Sequence, residues 1–143
     1  MRKNIVLILT LMLCGRAMTL AFIGRAGGDG PGDPPLVWLM PLLGDAVIGI
    51  TGLLIAYLVM KKTGLWVWSA IIVWNAVAIW DALSAYIIHT TSPWPDFFML
   101  QVFGASMFFV AALMHLLIIY LVSQPSQRAA YMGLAGQTKT NGR

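Results

Sequence analysis

The sequence predicts an all-α integral membrane protein, a four-transmembrane-helix bundle with both termini cytoplasmic. Three observations predict it. The chain has 143 residues, 59% hydrophobic and only 10% charged, whereas soluble domains carry about a quarter charged residues. Apolar runs near residues 4–24, 36–60, 65–89 and 97–122 are each long enough to cross a bilayer core, which takes about 20 helical residues. Finally, Arg2, Lys3, Lys61, Lys62, Arg128, Lys139 and Arg143 all fall on one side of a four-span arrangement, with only Arg25 in the loops of the other. The positive-inside rule assigns the basic side to the cytoplasm. Residues 1–124 then form the transmembrane domain and residues 125–143 a flexible cytoplasmic tail. The compact format points to a bacterial inner membrane.

The composition also excludes. The net charge of +4 sits at the ends of apolar runs and not in a patch interleaved with aromatics, so nucleic acid is not an expected partner. The single cysteine, Cys14, has no second thiol for a disulfide, redox exchange or a zinc site.

The first run opens as Arg2-Lys3 followed by IVLILTLMLCG, which has the look of a signal peptide. The apolar stretch continues through Met18 to Ile23, however, and so reads as a retained helix. Glycine and proline end it in RAGGDGPGDPP, residues 25–35. Asp29 and Asp33 there lack the oxygen ligands and closing glutamate of a calcium loop, so a solvated turn is expected.

The second run admits Pro41 near its start, where the first helical turns tolerate proline. Asp45, Gly49, Gly52 and Ala56 share one of its faces. Small residues let another helix come close, so this stripe is an expected interhelical seam. Lys61 to Gly64 form a short turn into the third run. There Asp81 lies with Ala78, Ser84 and Ala85, and Asn75 with Ala78, Ala82 and Ala85. TTSPWPD, residues 90–96, breaks the chain before the fourth run, in which Gln101, Ala105, Phe108, Ala112 and His115 fall on one face.

The polar residues inside these runs are the candidate site. A carboxylate at membrane depth is costly and calls for a partner. Counting from the expected loop ends, Arg16, Asp45, Asp81 and Ser106 all lie roughly 12 to 14 Å deep, and Thr10, Thr51 and Asn75 roughly 21 to 23 Å, with His115 deeper still. An arginine pairs with a carboxylate through parallel hydrogen bonds. If Arg16 pairs with one aspartate, the other is left as a proton-accepting carboxyl against an apolar wall, as proton-linked transport or acid–base chemistry needs. A bland alternative is a clamp in which the ion pair only sets helix register. His115 is expected to hydrogen-bond Asn75 or a threonine. His89 lies too far from His115 in depth for the two to share a haem. No metal site can be assembled from the ligands at any one level. Trp74 and Trp80 flank Asn75 and Asp81, so aromatic surface and polar anchors occur together, as in small-molecule sites.

These residues point to a small polytopic protein that binds or transports an amphiphilic ligand or proton-linked solute. Arg16, Asp45 and Asp81 form its polar centre, with Asn75, Trp74, Trp80 and His115 along the path. No cofactor is implied. A structural subunit of a larger membrane complex is a second reading. A lipid-modifying, isomerase-like enzyme using a buried Asp is a third, although no nucleophile elbow, phosphate loop, HExxH or CxxC occurs. A four-helix chain has little interior, so beside the lipid bilayer a homo-oligomer or larger complex is expected.

Overall fold

The computed structural model describes residues 2–132. Within them every regular element is helical: α1 (Arg2–Leu13), a 3-10 segment (Cys14–Thr19), α2 (Leu20–Ile23), a 3-10 turn (Leu36–Trp38), α3 (Leu39–Lys61), α4 (Leu65–Thr91), α5 (Phe98–Phe103), α6 (Ser106–Ser123) and α7 (Pro125–Tyr131). Four helical stretches are long and apolar enough to cross a membrane: Lys3–Ile23, Leu36–Lys61, Leu65–Thr91 and Ser106–Ser123. The large apolar side chains left on the outside, Met40, Trp80 and Leu113 among them, suit a surface solvated by lipid.

The small-residue stripe of α3 is the tightest seam. It packs against α1 and the 3-10 segment, and Gly49, Gly52 and Ala56 are buried along it. A side-chain carbon added at Gly49 would lie 2.2 Å from the Ala17 backbone nitrogen. Backbone meets backbone here because neither residue presents bulk. Thr19 of the 3-10 segment donates its hydroxyl to the Leu42 carbonyl, 3.1 Å away, pinning the seam further.

On α4 the buried residues Val67, Ile71, Asn75, Ala78, Ala82 and Ala85 form one stripe. It meets Phe108, Ala112, His115, Ile118 and Val122 of α6. The expected fourth helix is broken: Gly104, at φ +58°, separates α5 from α6. Only glycine adopts that left-handed conformation at no steric cost. Gln101 consequently leaves the face of Phe108, Ala112 and His115 and is exposed.

Residues 25–35 are the largely exposed turn expected, and part of the expected tail differs. The turn is self-bonded: Arg25 Nε donates to Asp33 Oδ1 at 2.6 Å and Trp94 Nε1 to the Gly32 carbonyl at 3.2 Å. Trp94 is buried and stacks on Phe97 with ring centroids 4.7 Å apart. Part of the expected tail, Pro125–Tyr131, is a docked helix. The Gly64 amide donates to the Tyr131 carbonyl at 2.6 Å, and the Arg128 guanidinium lies 5.3 Å from the Trp68 ring centroid. Residues 133–143, with Lys139 and Arg143, lie outside the described residues.

Lys3 donates to the Met60 carbonyl at 3.1 Å. Lys3, Lys61, Lys62 and Arg128 therefore gather at one end of the bundle, and Arg25 lies at the other.

The Tyr131 ring is buried and its hydroxyl has no hydrogen-bond partner among the described residues. Burial pushes this hydroxyl up from its ordinary 10.0 to about 12. The docked state keeps the proton that the undocked state releases, so docking is fully stable below pH 10.0 and weakens as pH rises toward about 12. Trp68 fluorescence followed against pH should show α7 releasing in that window, and Tyr131→Phe should abolish the transition. An unchanged transition in the phenylalanine variant would assign it to another group.

Candidate functional site

Arg16 lies in the 3-10 segment, where the tightened backbone aims its side chain between α3 and α4. Its Nε and Nη2 pair with Asp45 Oδ1 of α3, and Nη2 also pairs with Asp81 Oδ2 of α4. The structure thus places both carboxylates on one guanidinium, where the sequence reading had Arg16 serve one and leave the other alone. Gly44 makes room for this: a side-chain carbon there would sit 2.0 Å from Asp81 Oδ1.

The third guanidinium nitrogen, Nη1, reaches the Ala78 carbonyl at 3.4 Å and His115 Nε2 at 3.3 Å. The other ring nitrogen of His115, Nδ1, lies 2.8 Å from Asn75 Oδ1, and Asn75 donates its amide to the Ile71 carbonyl at 2.7 Å. These contacts fix the tautomer. The guanidinium only donates, so Nε2 accepts; Nδ1 carries the hydrogen and donates to Asn75. His115 and Asn75 are fully buried. The imidazole thereby links Asn75 of the deeper polar layer to the charged layer.

Trp74 belongs to its edge, with its ring centroid 5.2 Å from that of His115 and its Nε1 donating to Thr51 Oγ1 at 3.0 Å. Trp80 does not. It is 76% exposed and faces away from the network. One helical residue turns the side chain by about 100°, so a tryptophan adjacent to an inward Asp81 points outward. Ser106 is exposed and donates to the Phe103 carbonyl, so it takes no part in the charged layer. Thr10 bonds back to the Val6 carbonyl at 2.8 Å. His89 lies against Trp38 and Phe108, with ring centroids 6.2 and 5.7 Å away. Among the described residues no three His, Cys, Asp or Glu side chains gather as metal ligands.

A cleft of about 620 Å³ opens beside the charged layer. The sequence reading missed it. The half of the first span formed by the 3-10 segment and α2 packs on α3, and α1 packs on both α3 and α6. The gap between that half and α5–α6 is lined by Met18, Met107, Met114, Phe97, Phe103 and Phe108, among others, with Arg16 and Asp45 on its wall. One signal was available. Met107, Ala111 and Met114 recur at i, i+4 and i+7, a stripe beside the small-residue face of α6. Comparison with protein-family models, with curated proteins and with solved structures gives no match. Fold and site together define a class: a four-helix apolar bundle with an ion-pair network beside a methionine- and phenylalanine-lined cleft.

Proposed function

We propose that this chain is a small membrane-integral binding protein for an amphiphilic molecule. The apolar part of the ligand lies in the cleft and its polar end meets the Arg16–Asp45–Asp81 layer. The observation that carries the reading is the coincidence of cleft and charge. A pocket with apolar walls and a few convergent polar groups is the usual make-up of a small-molecule site, and this one has Arg16 and Asp45 on its wall. A purely structural clamp or complex subunit would need the ion pairs but not the space beside them. The basic end is assigned to the cytoplasm by the positive-inside rule, which puts the amino terminus inside, with a bacterial inner membrane as the expected location. Proton-linked exchange of the ligand is the natural extension, because one guanidinium faces two carboxyls.

Native mass spectrometry of the gently extracted protein tests the reading. The wild type should retain a small molecule that Asp81→Asn loses. The variant should still fold, since Arg16 and Asp45 remain a balanced pair, and its stability should stay within about 1.5 kcal/mol of wild type. Identical ligand-free spectra for both proteins would reject the reading. Extraction only in company with other polypeptides would favour the complex subunit.

A further inference from the structure

We infer that the cleft takes a lipophilic amine, its ammonium group held by Asp45. This rests on the ligand-binding reading above and adds the chemical class. The argument is a count of donors and acceptors. A guanidinium has five N–H groups and no lone pair to offer. In Arg16 the Nε hydrogen faces Asp45. The two on Nη2 face Asp45 and Asp81, and the two on Nη1 face the Ala78 carbonyl and His115. The arginine on the cleft wall is therefore saturated, and an anionic head group would find no free donor on it.

The acceptors are not saturated. Asp45 gives Oδ1 to Arg16, and its carboxyl also hydrogen-bonds that of Asp81, but among the described residues no N–H group reaches Oδ2. Asp45 is also the most open member of the layer, its side chain 25% exposed against 13% for Arg16 and 15% for Asp81. It lines the cleft, whereas Asp81 does not. The charge balance points the same way. One guanidinium serves two carboxyl groups that hydrogen-bond each other, so a second full negative charge forms only when a cation takes the place of the shared proton, and His115 supplies none while its Nε2 accepts from Arg16. An ammonium ion supplies both the missing positive charge and N–H donors. The walls suit such a ligand. Phe97, Phe98, Phe103 and Phe108 line the space for the hydrocarbon part of the ligand, and methionines adapt to irregular apolar shapes. The volume of about 620 Å³ lies within the range of about 300–1,000 Å³ for sites of drug-sized molecules. A free single-chain or aromatic amine fits this description better than a two-chain lipid.

The test is saturable binding of radiolabelled dodecylammonium and dodecyl sulfate to the full chain in an uncharged detergent, corrected for protein-free micelles. The cation should bind at least about tenfold more tightly than the anion. Asp45→Asn should remove most of that preference. Because Asp45→Asn disturbs the ion pair, Gly15→Leu provides a second variant. Gly15 lines the cleft, and a side chain there meets no atom within 4 Å. Gly15→Leu should fold and weaken uptake of both probes by filling the space. Equal affinity for cation and anion, with both weakened by Gly15→Leu, would overturn the amine and keep the cleft as a ligand site. No saturable binding of either probe, or binding indifferent to Gly15→Leu, would overturn the ligand-site reading itself. Repeating the assay in phosphatidylcholine nanodiscs should give the same uptake when phosphatidylethanolamine is added. Competition by that lipid would assign the cleft to a lipid head group and overturn a free amine.

Discussion

Arg16→Met should be the most damaging single substitution in the protein. It leaves Asp45 and Asp81 facing each other across the seam between α3 and α4, with their shared cation replaced by a thioether. Breaking a buried pair by removing one partner costs about 3–5 kcal/mol, because the remaining charge is left uncompensated. Here two carboxylates lose the same partner, so the cost should lie at the upper end of that range. His115 also loses the donor at its Nε2. Thermal unfolding in detergent should show a greatly lowered midpoint, or no folded protein should be recovered. The triple variant Arg16→Met, Asp45→Asn, Asp81→Asn should regain most of the loss, since neutral amides need no counter-charge. A single variant within about 1 kcal/mol of wild type would show that the network is not energetically coupled to the fold. The triple variant should not regain cation binding. Stability and ligand recognition thereby separate.

Gly49→Val should have the second largest effect, through packing alone. Even the first carbon of a side chain at Gly49 would come within 2.2 Å of the Ala17 nitrogen and 2.8 Å of its Cα. These are backbone atoms and cannot rotate away. The 3-10 segment would have to shift, carrying Arg16 off its two aspartates. Overpacking costs about 1–3 kcal/mol when side chains can adjust, and more when backbone must move. A graded series checks the cause. Gly15→Ala meets nothing within 4 Å and should be tolerated, and Gly52→Ala meets side-chain atoms only, Cys14 Sγ at 2.8 Å and Trp74 Cζ2 at 3.3 Å, which yield more readily than backbone. The expected order of destabilisation is Gly15→Ala, Gly52→Ala, Gly49→Ala, Gly49→Val. If Gly49→Ala proved as mild as Gly15→Ala, the close approach of α3 to the 3-10 segment would be disproved.

The charged layer was legible for a reason of solvation. An arginine and two aspartates in apolar runs must meet, because no water is present to hold them apart, and depth counting showed that they could. The stripe Asp45, Gly49, Gly52, Ala56 was legible because residues at those spacings share a helix face and small ones mark a close contact. The pairing of Asn75 with His115 followed from the same scarcity of partners. What misled was local neighbourhood in the chain. Trp80 stands beside Asp81 in sequence but points to the outer surface, and Gln101 lies on the phase of His115 only if the helix continues through Gly104. The docking of α7 could not be foreseen either, since PSQRAAY has few apolar residues and its burial rests on Tyr131 alone.

By itself, then, the sequence determined four helices long and apolar enough to cross a membrane, the basic residues that mark one end, and the identity of the charges that must pair. These follow from composition and period, which act along the chain. Only the tertiary structure decided that both aspartates share one arginine, that His115 links Asn75 to the charged layer, and that a cleft opens between the 3-10 segment and α5–α6. Each depends on the relative rotation and separation of helices far apart in sequence. That relation is set by how side chains interlock across the seams, and neither hydropathy nor periodicity encodes it.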